Sequence, residues 1–250
     1  MTKIYAFANQ KGGVGKTTTA VNLGAYLAAS GRRVLVVDVD PQANATIGTG
    51  LDPVQVAAVV MDILVNPEKM LEEVVVPTEL SNLDLAPSSS RLTLSQVSLD
   101  QTLRSKLALK NSIGNLRNSY QFILIDCPPS LSLLTLNALA AAREVIVPIQ
   151  THYYALQGVH QLLRIIELVK RLINPRLEIL GFLATMYDAR TNMGKRVLQE
   201  MYETLEDYYI FKTIIRVNIK LQEAASHGIP IIKYAKYSPV SYTHLTLPTN

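Results

Sequence analysis

The chain has 250 residues, with 24 Lys and Arg against 20 Asp and Glu for a net charge of +4. That length suits one α/β domain with a substantial core, and the mild basic excess permits an acidic partner without establishing one. A lone cysteine, Cys127, excludes an internal disulfide framework and a four-cysteine metal site within one chain, and suits a reducing compartment.

Met1-Thr2-Lys3 leads directly into an apolar run, Ile4–Ala8, without the pattern of a secretory leader. No apolar stretch reaches the roughly 18 residues of a membrane span, so a cytoplasmic protein is expected. The run reads as a strand and is followed by Asn9-Gln10-Lys11-Gly12-Gly13-Val14-Gly15-Lys16-Thr17-Thr18, then by a helical pattern over Thr17–Ser30. Strand, glycine-rich loop and helix are the setting of a phosphate-binding loop. Gly12, Gly13 and Gly15 let the backbone turn its N–H groups inward toward phosphate oxygens, reinforced by the positive helix N-terminus. Lys16 supplies a point charge for the β- and γ-phosphates, and the Thr17 hydroxyl can hold Mg²⁺. A glycine turn with chance lysines is the weaker reading, because Thr-Thr and a helix follow. Lys11 is unusual: an ordinary loop of this kind needs no charge there.

Val34–Val37 reads as the second strand, ending in Asp38-Val39-Asp40-Pro41-Gln42. Alternation sends Asp38 and Asp40 to the same side, near the carboxyl end of the sheet where open α/β folds bind ligands. A carboxylate there can orient the water that attacks a γ-phosphate or help organise a metal shell. The bland alternative is an acidic loop capping the next helix. Pro53, Pro67 and Pro77 punctuate a less regular stretch, Leu83–Ala86 reads as a strand, and Gln101–Ser119 as a helix. Phe122–Ile125 is a strand ending in Asp126, a Walker B pattern whose carboxylate would bind Mg²⁺ through water or meet the Thr17 hydroxyl. Pro128 and Pro129 stop that strand. Cys127 reads as a small buried residue rather than a reactive thiol.

Helical patterns over Leu131–Ala142, Leu156–Ile173 and Gly194–Leu205 alternate with strand patterns over Val145–Ile149 and Ile179–Thr185. The basic amphipathic run Leu162–Arg171 suits a helix covering a sheet better than a membrane helix. His152, His160, His227 and His244 show no metal-ligand spacing. Together these elements predict a three-layer, doubly wound, mostly parallel sheet with helices on both faces, the P-loop ATPase arrangement, as one domain over residues 1–239. Residues 240–250 have neither helical periodicity nor a strand signal. They read as an aberrant tail, akin to a translated sequencing adapter, in place of a native C-terminal helix.

Lys11–Thr18, Asp38–Gln42 and Ile125–Pro129 resemble the three nucleotide motifs of the ParA/Soj chromosome- and plasmid-partitioning ATPases, of the deviant-Walker-A (MinD/ParA) group. Thr185–Asn192 and the run from Arg216 to Gly228 agree, so that the similarity covers about residues 2–236. The resemblance implies an Mg²⁺-dependent ATPase whose two subunits close face to face around two ATP molecules. Lys11 would reach the other subunit's phosphates, Lys16 would act within its own, and Asp40 would position the water. The nucleotide would sit on Lys11, Gly12, Gly13, Val14, Gly15, Lys16, Thr17 and Thr18, with the adenine near Met186. Thr17 and Asp126 would serve the metal, with Asp38 behind them.

The same resemblance implies a homodimer on ATP binding, sequence-independent binding to double-stranded DNA, and stimulation by a ParB-type partner. The protein would be cytoplasmic and nucleoid-associated in the ATP state, with no membrane role. Between Arg190 and Lys236 the Lys and Arg residues modestly outnumber the acids, and Lys195, Arg216, Lys220, Lys233 and Lys236 are the candidate DNA-binding residues. Composition alone would read that stretch as a solvated mixed surface. A MinD-like membrane-associated ATPase positioning other machinery is the alternative, sharing the chemistry but needing a C-terminal amphipathic helix. A nitrogenase-type reductase would need paired cysteines, which one Cys127 cannot provide. Two departures from the family pattern are Ala43, where glycine is usual, and Ala225, where proline is common.

Overall fold

A computed structural model describes residues 2–66, 68–90, 107–114, 116–152 and 156–243. Seven strands form one sheet: β1 Lys3–Phe7, β2 Val34–Asp38, β3 Val76–Pro77, β4 Leu83–Ala86, β5 Phe122–Asp126, β6 Glu144–Gln150 and β7 Glu178–Thr185. Their order across the sheet is β3-β4-β2-β5-β1-β6-β7, and every pairing is parallel except β3 with β4. The chain leaves β1 toward β2 on one side and later reaches β6 on the other, so the order switches direction at β1. Open α/β sheets bind ligands at such a point, beyond the carboxyl ends of the strands.

The helices are α1 Lys16–Ala29, α2 Asn44–Gly48, α3 Val60–Val65, α4 Ala108–Ser112, α5 Leu116–Ser119, α6 Leu133–Ala141, α7 Val159–Leu172, α8 Asn192–Thr204, α9 Ile219–Ser226, α10 Ile231–Tyr234 and α11 Pro239–Thr243. They cover both faces, as the doubly wound expectation requires. Period-two alternation divides the central strands between two cores. Leu35, Val37, Ile123 and Ile125 face one, with Leu162, Ile166 and Val169 of α7 packed there. Val34, Val36, Leu83 and Leu124 face the other, with Ala20, Leu23 and Leu27 of α1. α7 thus turns its apolar stripe to the sheet, and among the described residues no helix is long and apolar enough to cross a membrane.

Three local expectations change. The helix expected over Gln101–Ser119 breaks, within its described part, into α4 and α5, because Gly114 takes φ +29° between them. Residues 101–106 lie outside the described residues. The helix expected from Leu156 starts at Val159, after Gly158 at φ +84°. The segment from 240, expected to lack helical structure, begins inside α11, where Val240 and Ser241 are buried and the Ser241 hydroxyl meets that of Tyr26 on α1. Residues 244–250 lie outside the described residues.

Candidate nucleotide site

The loop between β1 and α1 is shaped by two glycines with positive φ, Gly13 at +70° and Gly15 at +88°. At these angles an L side chain is strained, so the sequence places glycine where the chain turns back into the helix. Gly12 and Gly13 are exposed, Val14 is buried, and Lys11, Thr17 and Thr18 are half-buried. Three side chains brace the loop and the helix that follows it. Asn9 donates to the Pro148 carbonyl at 2.7 Å and accepts from the Lys11 N–H at 3.0 Å. Thr185, at the end of β7, donates to the Val14 carbonyl at 2.8 Å. Asn22 on α1 donates to the Thr18 carbonyl at 2.8 Å and accepts from the Ile231 N–H at 2.7 Å, tying the loop's helix to α10.

Lys16 is 6% exposed, and its ammonium donates to the Lys11 carbonyl at 3.1 Å. Burial lowers its pKa, while Asp126, Cys127 and Asp40 pull the other way. The Thr17 hydroxyl donates to Asp126 Oδ2 at 2.7 Å. Asp38 and Asp126 end adjacent strands, opposed in register, and both are fully buried. Burial raises both carboxyls, Asp38 to about 7, and the Asp38 charge adds to the rise at Asp126. Burial likewise pushes the Cys127 thiol up, so this cysteine is an inert core group.

Asp126 Oδ1 is buried without a hydrogen-bond partner. An acceptor left so costs free energy unless something positive reaches it. Beside the Thr17 hydroxyl, this donor set fits a hard divalent cation, which binds through one or two carboxylates together with substrate phosphates. No group of three or more His, Cys, Asp or Glu among the described residues could hold a metal ion by itself, so phosphate oxygens would complete the shell. Asp38 stands behind this pair, because its Oδ1 accepts from the Asp40 N–H at 3.1 Å and its Oδ2 is taken by Thr46. Asp40 is 6% exposed and caps its own turn by accepting from the Gln42 N–H at 3.0 Å. Ala43 takes φ +56° just ahead of α2, a conformation that costs an L residue about 1 kcal/mol and that glycine would adopt freely.

Two cavities open at the carboxyl end of the sheet. One of about 390 Å³ is lined by Gly12, Lys16, Thr17, Asp40, Pro129 and Met186. The other, of about 550 Å³, is lined by Thr18, Thr185, Met186, Arg216, Leu221 and Ala225. Gly15, Thr18, Met186, Leu221 and Ala225 belong to both. One ligand with a charged phosphate end and a flatter, more apolar end fits the pair. Met186, at φ +52°, is the non-glycine residue that turns β7 into this junction.

The basic candidates are less uniform. Lys195 is exposed on α8, Arg216 is exposed but also lines the 550 Å³ cavity, and Lys236 is exposed after α10. Lys220 and Lys233 each pair with a carboxylate, Glu223 at 2.8 Å and Glu79 at 3.0 Å. Lys220 also lies over the Tyr234 ring, 5.6 Å from its centroid. Sequence reasoning does not single out Asn9, Asn22, Thr46 or Thr185 as site residues. Asn9 and Thr185 lie in motif stretches, but their bonds cross between strands far apart in the chain.

Comparison with known proteins agrees with this geometry. The AAA domain family matches residues 2–179. The sporulation initiation inhibitor protein Soj of Bacillus subtilis (strain 168) is 46% identical over 247 residues, 99% of this chain and 97% of that protein. The chromosome partitioning protein ParA of Myxococcus xanthus (strain DK1622) is 42% identical over 245 residues, 98% of this chain and 86% of that one. Among solved structures, cobyrinic acid a,c-diamide synthase from Mycobacterium smegmatis with bound ADP and magnesium is 38% identical, with a TM-score of 0.82 over 91% of each chain.

Proposed function

The chain belongs to the Soj/ParA family of chromosome-partitioning ATPases, and from that premise we propose that it is an ATP-driven switch for DNA cargo. ATP–Mg²⁺ drives two copies into a sandwich dimer, the dimer binds double-stranded DNA without sequence preference, and a ParB-type partner stimulates hydrolysis and release. The protein acts in the cytoplasm, on the nucleoid while ATP is bound, and residues 1–239 form its one ATPase domain, against which the rest of α11 packs. The observation that carries the reading is that Lys16, Thr17 and Asp40 line the 390 Å³ cavity together, with the Thr17 hydroxyl bonded to the buried Asp126 behind it.

Backbone N–H groups of Gly12 to Thr18 and the Lys16 ammonium bind the β- and γ-phosphates, and Met186 and Leu221 flank the adenine. Thr17 and Asp126 would hold Mg²⁺, with Asp38 behind them, and the ion would supply charge neutralisation at the phosphate oxygens. Asp40 orients the attacking water and takes its proton as the water oxygen bonds to the γ-phosphorus and the bond from that phosphorus to the β–γ bridging oxygen breaks, giving ADP and inorganic phosphate. Lys11 of a second copy lies against the γ-phosphate and stabilises the charge of the transition state, as an arginine finger does elsewhere. Lys195, Arg216, Lys220, Lys233 and Lys236 meet DNA phosphates. Their contribution is the release of counterions, which carries no sequence information.

The test is Asp40→Ala, which retains ATP without turning it over. Binding of that variant to random-sequence duplex DNA is measured with ATP–Mg²⁺ and with ADP, at two salt concentrations. Salt-sensitive binding with ATP alone is the expected result. ATP-dependent dimerisation without DNA binding at either salt would overturn the DNA switch and favour the MinD-like reading.

A further inference from the structure

Asp40 does not hold its position by its own cap alone. Its backbone N–H donates to Asp38 Oδ1 at 3.1 Å, so the turn that carries Asp40 is pinned to a buried carboxylate. The other oxygen of that carboxylate, Asp38 Oδ2, accepts two bonds from a single residue, the Thr46 N–H and the Thr46 hydroxyl, both at 2.8 Å. The Thr46 Oγ1 in turn accepts from the Ser88 N–H at 2.9 Å, from the loop after β4. Asp38 and Thr46 are fully buried and Ser88 is 1% exposed. Bulk solvent therefore does not reach this chain of bonds, and removing one partner would strand a buried polar group.

We propose that Thr46 is a positioning residue for ATP hydrolysis, fixing the Asp38 carboxylate so that Asp40 is held where it meets the attacking water. A carboxylate gripped at both oxygens cannot rotate about its Cβ–Cγ bond, and the Asp40 amide follows its orientation. Thr46 lines neither nucleotide cavity. It acts across α2, whose first turn it occupies, with Ser88 bracing the hydroxyl from the neighbouring strand's end. The assignment rests on Asp40 as the group that orients water.

Thr46→Ser and Thr46→Ala differ from each other by one hydroxyl, and Thr46→Val keeps the shape while deleting it. For each purified full-length variant, ATP–Mg²⁺ turnover is measured as kcat and KM, together with the Kd for fluorescent mant-ATP and the melting temperature. Supporting side chains of this kind are worth about 10- to 100-fold in activity. Because the Thr46 N–H bond survives, the lower end is expected: Thr46→Ala and Thr46→Val lose about tenfold in kcat, with KM and mant-ATP affinity unchanged, and Thr46→Ser restores turnover. Equal losses in Ser and Ala, or a loss of mant-ATP affinity parallel to that of kcat, would assign Thr46 to packing and overturn the proposal. Should Thr46→Val fail to fold, the Ser and Ala pair decides it. Asp40→Ala measured alongside separates the two claims. Full turnover in Asp40→Ala would overturn the role of Asp40 itself, whereas a loss there with full turnover in Thr46→Ala would overturn the role of Thr46 alone.

Discussion

At the carboxyl ends of β1, β2 and β5, Lys16, Asp38, Asp40 and Asp126 are each 6% exposed or less, while Lys220 and Lys233 on α9 and α10 stand in solvent beside Glu223 and Glu79. Both regions concentrate charge, yet they answer to different physics. In the first, the bonds around Asp38 are made in a dry, low-dielectric setting, where losing one partner strands another. In the second, pairs are screened and readily exchanged for phosphate or water. The first region should therefore be brittle, with single changes abolishing function. The second should be graded, with each side chain contributing a similar small share.

The largest effect is expected at Lys16. Lys16→Ala removes the cation beside Asp126, whose Oδ1 already lacks a partner, and takes away the charge proposed to face the phosphates. Loss of a preorganised group aimed at developing charge typically costs on the order of a hundredfold or more in turnover. ATP hydrolysis and mant-ATP binding by the variant check this. Turnover within a fewfold of wild type would show that the buried cluster is not brittle, and the contrast between the regions would fail.

A smaller effect, on stability, tests the same contrast through pH. Burial raises the folded pKa of Asp38 to about 7 and raises that of Asp126 as well, against an unfolded value of about 3.9. A group raised in this way favours the folded state when protonated. Its contribution is fully present below the unfolded pKa and is lost as pH climbs toward the folded one. The nucleotide-free protein should melt at a higher temperature at pH 5.5 than at pH 8, and ATP–Mg²⁺ should flatten that slope. On the exposed side, Arg190 holds Asp188 down to about 2 and Lys220 lowers Glu223. Stability from those two is lost only as pH falls through their lowered pKa values, so they add no slope between pH 5.5 and 8. A melting temperature that is flat across this range without nucleotide would remove the electrostatic argument for a cation site at Asp126.

What could be read from the sequence follows the same division. The phosphate loop, the Asp126 strand and five further strands announce themselves by local apolar runs and glycines, and the structure places them in one parallel sheet. β3 is too short for periodicity to mark; it exists because Val76 finds Leu85 across an antiparallel edge. The break at Gly114 shows one glycine overriding an otherwise helical pattern. Thr46 carries no local signal of the role proposed for it, because its partners Asp38 and Ser88 are brought to it only by the sheet. Nor does composition distinguish a free lysine from one held by Glu79, a residue 154 positions away from Lys233 in the chain.

That last pairing leads to the smallest and most discriminating effect. If Lys220 and Lys233 meet phosphates in the ATP-bound dimer, Glu223 and Glu79 compete with DNA for them. Lys220→Ala and Lys233→Ala should each weaken duplex binding a fewfold, equally for all sequences, and reduce the slope of log affinity against log salt by about 1 for each lysine removed. Glu79→Gln should do the reverse at Lys233, tightening DNA binding by freeing the ammonium, while leaving ATP turnover without DNA unchanged. Fluorescence anisotropy across a salt series, in the Asp40→Ala background with ATP, reads both directions. A Glu79→Gln variant that binds no more tightly, together with an unchanged slope in Lys233→Ala, would take Lys233 out of the DNA face. Opposite signs from the two partners of one surface pair would instead tie the affinity to the charge that Lys233 presents, since loss of packing would weaken binding in both.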